Sequence, residues 1–543
     1  MTRSARLWGI AALVAAAAAA AAVVFAWGLF AEDAPPPAYD APGFAAAGPV
    51  DHVYDGEYTF FVGGGVAAFD CSGDAVPDLY FAGGVNPAGL YRNDSSVGGA
   101  LAFSEVAGSG ADLTGVTGAY PIDIDSDGLI DLAVLRLGSN EILRGVGDCR
   151  FEAAGSDWGI DGGDMLTTGF SATWESGETW PTLAFGNYVA LDDDGDQAVG
   201  CNDNTLIRPA GAGYAEPTVL APGYCSLSVL FSDWSRTGAI DLRVANDRHY
   251  YRGGEEQLWR IEPGAPPRLY ERDDGWEQLQ IWGMGIASHD VTGDGYPEVF
   301  LTSMGDNKLQ TLENGADEPS YVDIALDSGV TAHRPFTGDV TMPSTAWHAE
   351  FDDVNNDGYV DLFITKGNVD AMQEAASADP NNLLLGQPGG SFAESAAEAG
   401  ILNLARSRGA AVVDLNMDGL LDLVEVNRRE PVTIWRNTGT DGDAGNWLAI
   451  RPQQDGANRD AVAGWIEVMA GDRLLVREVT IGGGHAGGQL GWIHFGLGDE
   501  TEASVRITWP DGETEEWRNV AVNRFVTITR GDPTVSPRPA MED

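Results

Sequence analysis

The sequence predicts an all-β protein, a seven-bladed β-propeller followed by a small β-sandwich or barrel. Three observations carry this expectation. An acidic nonapeptide followed by a short apolar run recurs through the middle of the chain at intervals of fifty to sixty residues. Gly numbers 71 among 543 residues, well above the usual ~7%, which favours turns and many short strands over long helices. After residue 440 the acidic repeat stops, yet apolar strands continue between Gly- and Asp-rich turns.

Composition narrows the function. Hydrophobic residues make up 44% of the chain, enough for a large core and too many for wholesale disorder. The formal net charge is −51, from 31 Lys and Arg against 82 Asp and Glu. A phosphate backbone would be repelled, which excludes a general nucleic-acid binder. Docking on anionic lipid through basic patches is disfavoured for the same reason. An acidic surface suits cations and basic partners.

The N-terminus reads as a targeting segment. Arg3 and Arg6 precede an uncharged, Ala-rich run of 25 residues from Leu7 to Ala31. That exceeds the ~7–15 residues of a secretory apolar region and approaches the ~20 that span a bilayer as a helix. Leu29 and Phe30 leave no small-x-small cleavage site. Residues 1–31 are expected to be an uncleaved signal anchor, with a cleaved signal peptide as the alternative. Both place the bulk of the chain outside the cytoplasmic membrane, on the periplasmic or extracellular face of the envelope or secreted from it. Membrane contact is expected through this segment only. Residues 32–48, with Pro35, Pro36 and Pro37, read as a stiff tether.

Four cysteines allow three connectivities, and the sequence does not choose among them. Cys201 and Cys225 are nearest in the chain, which favours that pair and leaves Cys71 with Cys149. Four free buried thiols are the alternative. No C-x-x-C spacing supports zinc or redox chemistry.

The repeat has the form D-x-[DN]-x-[DN]-G-x-x-D. It is complete at Asp123-Ile-Asp125-Ser-Asp127-Gly128-Leu-Ile-Asp131, at Asp353-Val-Asn355-Asn-Asp357-Gly358-Tyr-Val-Asp361, and at Asp414-Leu-Asn416-Met-Asp418-Gly419-Leu-Leu-Asp422. Asp290, Asp294 and Glu298 mark a weaker copy, and the copies beginning at Asp70 and Asp233 are degenerate. Starts at 70, 123, 233, 290, 353 and 414 leave spacings of 53, 110, 57, 63 and 61. The doubled spacing predicts a hidden unit near Trp174–Tyr188, which keeps the apolar strand and has lost the acidic ladder. Each unit ends in an apolar run, read as a buried strand. Radial repetition of four-stranded sheets at this period is the propeller solution to the edge-strand problem, whereas a β-solenoid repeat is much shorter. The propeller is assigned to residues 49–440.

The nonapeptide has the chemistry of a calcium loop. Side-chain oxygens at its first, third and fifth positions lie on one side of a tight turn. Gly at the sixth permits a backbone that a β-carbon disfavours. The seventh carbonyl and ninth carboxylate complete an oxygen cage, which suits Ca²⁺ better than the stricter octahedron of Mg²⁺. The expected ligands are Asp123, Asp125, Asp127, Leu129 and Asp131; Asp353, Asn355, Asp357, Tyr359 and Asp361; and Asp414, Asn416, Asp418, Leu420 and Asp422. Asp290, Asp294 and Glu298 form the weaker fourth set. Three to four structural Ca²⁺ ions are expected. EF-hands are excluded, since they need a Glu at the twelfth position and flanking helices. That position holds Val134, Leu301, Ile364 and Glu425 here.

These repeats resemble FG-GAP/VCBS-type repeats, the calcium-loop blades of integrin α-like propellers, over roughly residues 50–440. Residues 446–531 resemble the ASPIC/UnbV domain through Asn446-Trp447-Leu448, Asn458-Arg459-Asp460-Ala461-Val462, Phe495-Gly496-Leu497-Gly498 and Thr508-Trp509-Pro510-Asp511-Gly512. Residues 532–543 are read as a tail. The combination resembles the cartilage acidic protein family. That resemblance implies an extracellular, calcium-binding protein of interaction type and supplies no catalytic residue.

The remaining motifs are read conservatively. The run Ile481-Gly-Gly-Gly-His485-Ala-Gly-Gly-Gln489 lacks the Lys and helix of a P-loop and is read as a tight turn carrying a surface His. His494 lies near it in sequence. The segment Asn246–Tyr251, His333 and His348 are placed on blade loops. No G-x-S-x-G elbow precedes a helix, and H-E-x-x-H is absent. The expected function is a calcium-ordered binding or adhesion module for an extracellular protein or glycan, its ordered loops forming the recognition surface. A calcium-assisted polysaccharide lyase or glycoside hydrolase is the alternative. It requires a His/Arg/Tyr/Glu cluster at the central mouth of the propeller.

Overall fold

The computed structural model describes residues 41–537 apart from residue 49 and the segments 193–197, 248–252, 332–343, 370–375, 377–378 and 441–443. The N-terminal segment 1–31, most of the tether, His249 and His333 lie outside the described residues. Among the described residues no helix is long and apolar enough to cross a membrane.

The protein is all-β, as the repeat predicts. Among the described residues, seven antiparallel pairs of first and second strands follow one another in chain order; the sheets of the second and third units join through Met165–Thr173 into one of eight strands, the first sheet carries a fifth, parallel strand, the last is five-stranded, and the other three have four strands each. The first strands are Val66–Phe69, Val116–Ile122, Met165–Thr173, Ser226–Ser232, Gly283–His289, Ala346–Asp352 and Ser407–Val413. Each first strand lies beside those of the neighbouring sheets, and the seventh lies beside the first. They therefore line a common axis, with later strands stacked outward as propeller blades.

The second strand of every blade is the apolar run after a nonapeptide: Asp78–Phe81, Asp131–Gly138, Thr182–Asn187, Asp241–Asn246, Glu298–Ser303, Asp361–Lys366 and Asp422–Asn427. These strands are almost wholly buried between adjacent blades, which is why they lack polar alternation. The unit near Trp174 is a blade without an acidic loop. Phe44–Ala46 supplies the outer strand of blade seven, pairing antiparallel with Pro431–Asn437. Residues from the start of the described chain thereby complete the last blade.

Both disulfides join neighbouring blades. Cys71 bonds Cys149 between blades one and two, and Cys201 bonds Cys225 between blades three and four. The pairing is the one that chain proximity favours.

The C-terminal region is a two-sheet sandwich. One sheet runs Ile493–Gly498, Asn446–Gln453, Arg524–Thr529, Ser536–Pro537. The other runs Arg473–Glu478, Trp465–Ala470, Glu502–Thr508, Arg518–Ala521. Leu448, Ile450, Ile466, Val468, Val505 and Trp509 form its core. After Glu478 the chain leaves the sandwich and enters the propeller, where Ile481 bridges Ala172.

Candidate functional site

The nonapeptide loops connect first to second strands, so all lie on one face of the ring. Their backbones are alike. The fourth and sixth positions are left-handed at Ser126 (φ 59°) and Gly128 (91°), Asn356 (58°) and Gly358 (83°), and Met417 (58°) and Gly419 (86°). Glycine at the sixth position accepts this conformation without the strain a β-carbon brings. The sixth N–H donates to the first carboxylate, from Gly128 to Asp123 (3.0 Å), Gly358 to Asp353 (2.7 Å) and Gly419 to Asp414 (2.7 Å). The second N–H donates to the ninth, from Ile124 to Asp131, Val354 to Asp361 and Leu415 to Asp422. The other oxygen of each ninth carboxylate accepts an N–H from the third strand, at Gly145, Gly386 and Asn437.

These hydrogen bonds gather negative charge out of solvent. Asp123, Asp125 and Asp131 each offer an oxygen within 4.8 Å of the others. Burial, then the Asp460 carboxylate, pushes Asp123 up to about 7, and burial pushes Asp131 up to about 8. In blade six, burial holds Asp353 and Asp361 well above the usual carboxylate range. In blade seven, burial pushes Asp414 up to about 7 and holds Asp422 well above the usual carboxylate range. Asp123 Oδ1 and Asn416 Oδ1 are buried and lack hydrogen-bond partners. An orphaned oxygen among crowded carboxylates is the environment that a hard cation completes. The residues present therefore fit Ca²⁺. In the blade-five loop, Asp290 rises to about 7. Two hydroxyls, Thr292 Oγ1 (3.2 Å) and Thr311 Oγ1 (2.8 Å), donate to Glu298 Oε1 there.

The complete loops of blades six and seven are largely buried, and that of blade two is covered in part, with Asp127, Gly128 and Leu129 left exposed. A Cβ at Gly128 would lie 1.7 Å from Arg459 Nη1, one at Gly358 2.1 Å from Arg473 Nη2, and one at Gly419 2.0 Å from Trp447 Cε2. All three covering residues belong to the C-terminal sandwich. Asn458 N–H reaches Ser126 Oγ (3.3 Å), Arg477 pairs with Asp352 (2.9 Å), and His494 Nε2 meets Asn356 Oδ1 (2.6 Å). Glycine at the sixth position thus serves two ends, the turn and the close approach of a second domain. The expectation that the ordered loops form an open recognition surface is corrected here: the C-terminal domain lies over them.

The Gly-rich run is corrected as well. Residues 481–490 enter the propeller axis. Gly488–Leu490 pairs in parallel with the first strand of blade one, and single bridges tie Gly487, Ile481, Gly482 and Gly484 to blades two to five. His485 N–H donates to His348 Nδ1 in blade six (3.0 Å). In blade seven, a Cβ at Gly409 would lie 3.2 Å from the His485 carbonyl. His485 is fully buried rather than on the surface. Its Nε2 donates to the Val62 carbonyl (2.7 Å), its ring contacts Trp347, and burial pushes it down to about 3. His348 is buried beside it, and His494 lies instead on the blade-six loop.

A signal for this plug exists in the sequence. Small residues lie in the first strands at Gly118, Ala119 and Ala172, and just before the first of them at Gly65. A Cβ at Gly65 or Gly118 would meet the Ala486 carbonyl at 1.7 and 1.9 Å. Such positions are where the backbone of another segment passes.

Some polar groups do meet near the axis. His348 Nε2 donates to Glu350 (3.3 Å), since its Nδ1 already accepts from His485. Gln489 also donates to Glu350. They line a cavity of about 200 Å³ under the C-terminal domain, with Tyr120 and Arg477. The plug itself supplies part of this cluster. Asn246 and Asp247, also expected on a loop, are buried.

Residues 454–535 match the ASPIC and UnbV family, and residues 353–425 match an FG-GAP-like repeat. Human cartilage acidic protein 1 is 33% identical over 128 residues, 23% of this chain and 19% of that protein. The mouse protein is 34% identical over 113 residues, 20% of this chain and 17% of the relative. The matched stretches thus span under a fifth of the length of these relatives. Among solved structures, BBS1N in complex with ARL6DN aligns over 73% of this chain and 97% of that one, at 13% identity and a TM-score of 0.42. The Dos1 propeller aligns over 74% and 96%, at 8% identity and a TM-score of 0.35. Over these stretches the chain carries an FG-GAP-like repeat and an ASPIC and UnbV region and is similar to cartilage acidic protein 1.

Proposed function

We propose that the protein is an exported, calcium-binding propeller that acts as a binding module for an extracellular protein or glycan, tethered to the membrane by its N-terminal segment. One observation carries this reading. The loop face is covered by the C-terminal domain and the axis is filled by residues 481–490. The opposite face is left for a partner. The second strands end on that face, and the stretch of sequence between second and third strands is long in blades three, four and six. Tyr58, Val85 and Val199 on that face are 39%, 55% and 52% exposed, the sort of apolar surface that partner contacts use.

Calcium has a structural role in this proposal. Asp123, Asp125, Asp127 and Asp131, with their counterparts in blades six and seven, would hold the ions. A bound ion would neutralise the gathered carboxylates and complete the unpartnered oxygens. Disulfides in both halves of the ring suit an oxidising compartment, in keeping with export. The catalytic alternative has less support, because Glu350 and His348 are engaged by the plug.

The test is a calcium-loaded screen of the exported chain against glycan and extracellular-protein arrays, repeated with Tyr58→Ala/Val199→Asp. Retention of a ligand that the double variant loses is the expected result. A ligand bound equally by both proteins, or none at all, would overturn the assignment.

A further inference from the structure

We propose that the acidic-loop face is a metal-dependent docking surface whose partner is the chain's own C-terminal domain. The inference rests on the calcium reading and goes beyond it: the ions hold the sandwich and its plug on the ring as well as bracing individual turns.

The contacts divide by loop. In all three complete loops the sixth-position glycine lies under a C-terminal side chain, Arg459, Arg473 or Trp447. In blade four, whose loop has lost its acidic ladder, a Cβ at Gly238 would meet nothing within 4 Å. In blade five, the atom near Gly295 is Arg236 of the propeller itself. The sandwich also reaches the blade-four loop, where Glu478 accepts from the Asp233 N–H and Glu467 pairs with Arg236, but there the loop supplies its own positive charge, whereas over the complete loops the contact closes on gathered carboxylates. Trp447, Arg459 and Gly496 also lie in the stretches that resemble the ASPIC/UnbV domain. A Cβ at Gly496 would come within 1.8 Å of Asp353 Oδ2.

Charge explains why the ions matter to this contact. The complete loops carry ten carboxylates. Covering them removes water that would otherwise screen their repulsion, and buried charge is costly unless compensated. A cation in each loop offsets that repulsion and fixes the turn against which the glycine contact is made. Metal binding and seating of the domain then stabilise each other, and by linkage each strengthens the other equally.

The experiment is hydrogen exchange on the full chain in calcium and in chelator, with calcium titration of the parent and of Trp447→Ala. Trp447 carries no charge and is no ligand, so its removal takes away the cover without adding or removing a charged group. Chelation is expected to speed exchange of residues 481–498 about tenfold, while the second strands, such as Asp422–Asn427, stay protected. Trp447→Ala is expected to weaken calcium binding by about the same factor. Calcium binding with no change over 481–498 on chelation would overturn the docking role and leave the calcium reading intact. Chelation that exposes every blade alike would also overturn it, because the effect would be global unfolding. If no calcium binds, both the calcium reading and the docking role fall.

Discussion

Blades two and four carry the same loop backbone with different chemistry. Arg236 and Gly238 repeat the left-handed positions of Ser126 and Gly128, and Thr237 and Gly238 N–H groups cap Asp233. In blade four the protein satisfies its own acids. Trp234 Nε1 and Tyr270 Oη both donate to Asp241 Oδ2 at 2.9 Å, and the Ser235 and Thr237 hydroxyls bond each other at 2.8 Å. In blade two Asp123 Oδ1 has no partner, and three carboxylates crowd together. The turn is therefore not what requires an ion. On the calcium proposal the acidic ladder is, and where it has been lost, neighbouring side chains such as Trp234 and Tyr270 take its place.

The sharpest way to break this comparison is to alter the covered glycine. Gly419→Ala places a Cβ against the Trp447 ring in a left-handed turn and is expected to cost about 3 kcal/mol. Gly238→Ala meets open space and should cost only the backbone strain, about 1 kcal/mol. Denaturant unfolding of both variants reads the difference. Equal costs would mean that the C-terminal domain does not press on the loop.

Acid should act more weakly, through the contact on blade six. Burial pushes His494 down to about 4 from its ordinary 6.5. Its contribution to stability is present above pH 6.5 and is lost as the pH falls toward 4, about 2 kcal/mol by pH 5. His494→Gln, which can still donate to Asn356, should flatten that part of the melting-temperature profile. An unchanged profile would remove His494 as the source.

The smallest effect separates the two loop chemistries directly. Asp241→Asn leaves Trp234 and Tyr270 poorly matched and should cost about 1 kcal/mol without altering calcium stoichiometry. Asp123→Asn should lose one bound ion while leaving the metal-free protein at least as stable, because it relieves repulsion. Calorimetric titration and melting in chelator distinguish the two. Loss of an ion in Asp241→Asn would show that the degenerate loop binds metal after all.

Much of the fold was legible because each nonapeptide precedes the strand most deeply buried between blades. Even the blade at Trp174, without acids, could be placed from spacing alone. The sandwich was readable as alternating strands, although Arg518–Ala521 escaped notice because it is short and polar. The plug was hidden for a physical reason. His485 and Val62 are far apart in sequence, and a run of glycines has no period to betray its neighbours. The spacing of the carboxylates can be read from one short stretch of sequence, but their cover of Trp447, Arg459 and Arg473 depends on how two domains meet.

The strand Gly488–Leu490 lies beside Val66–Phe69, some 420 residues earlier in the chain. Synthesis proceeds from the N-terminus, so the ring can assemble its walls long before this segment exists. Until then the Gly- and Ala-lined axis is a hollow with unpaired backbone groups along blade one. If the ring closes as the chain is made, a hollow-ring stage precedes the arrival of the last segment at the centre. Chains truncated before residue 481 should stop at that stage, which makes them the natural material in which to look for chaperone dependence.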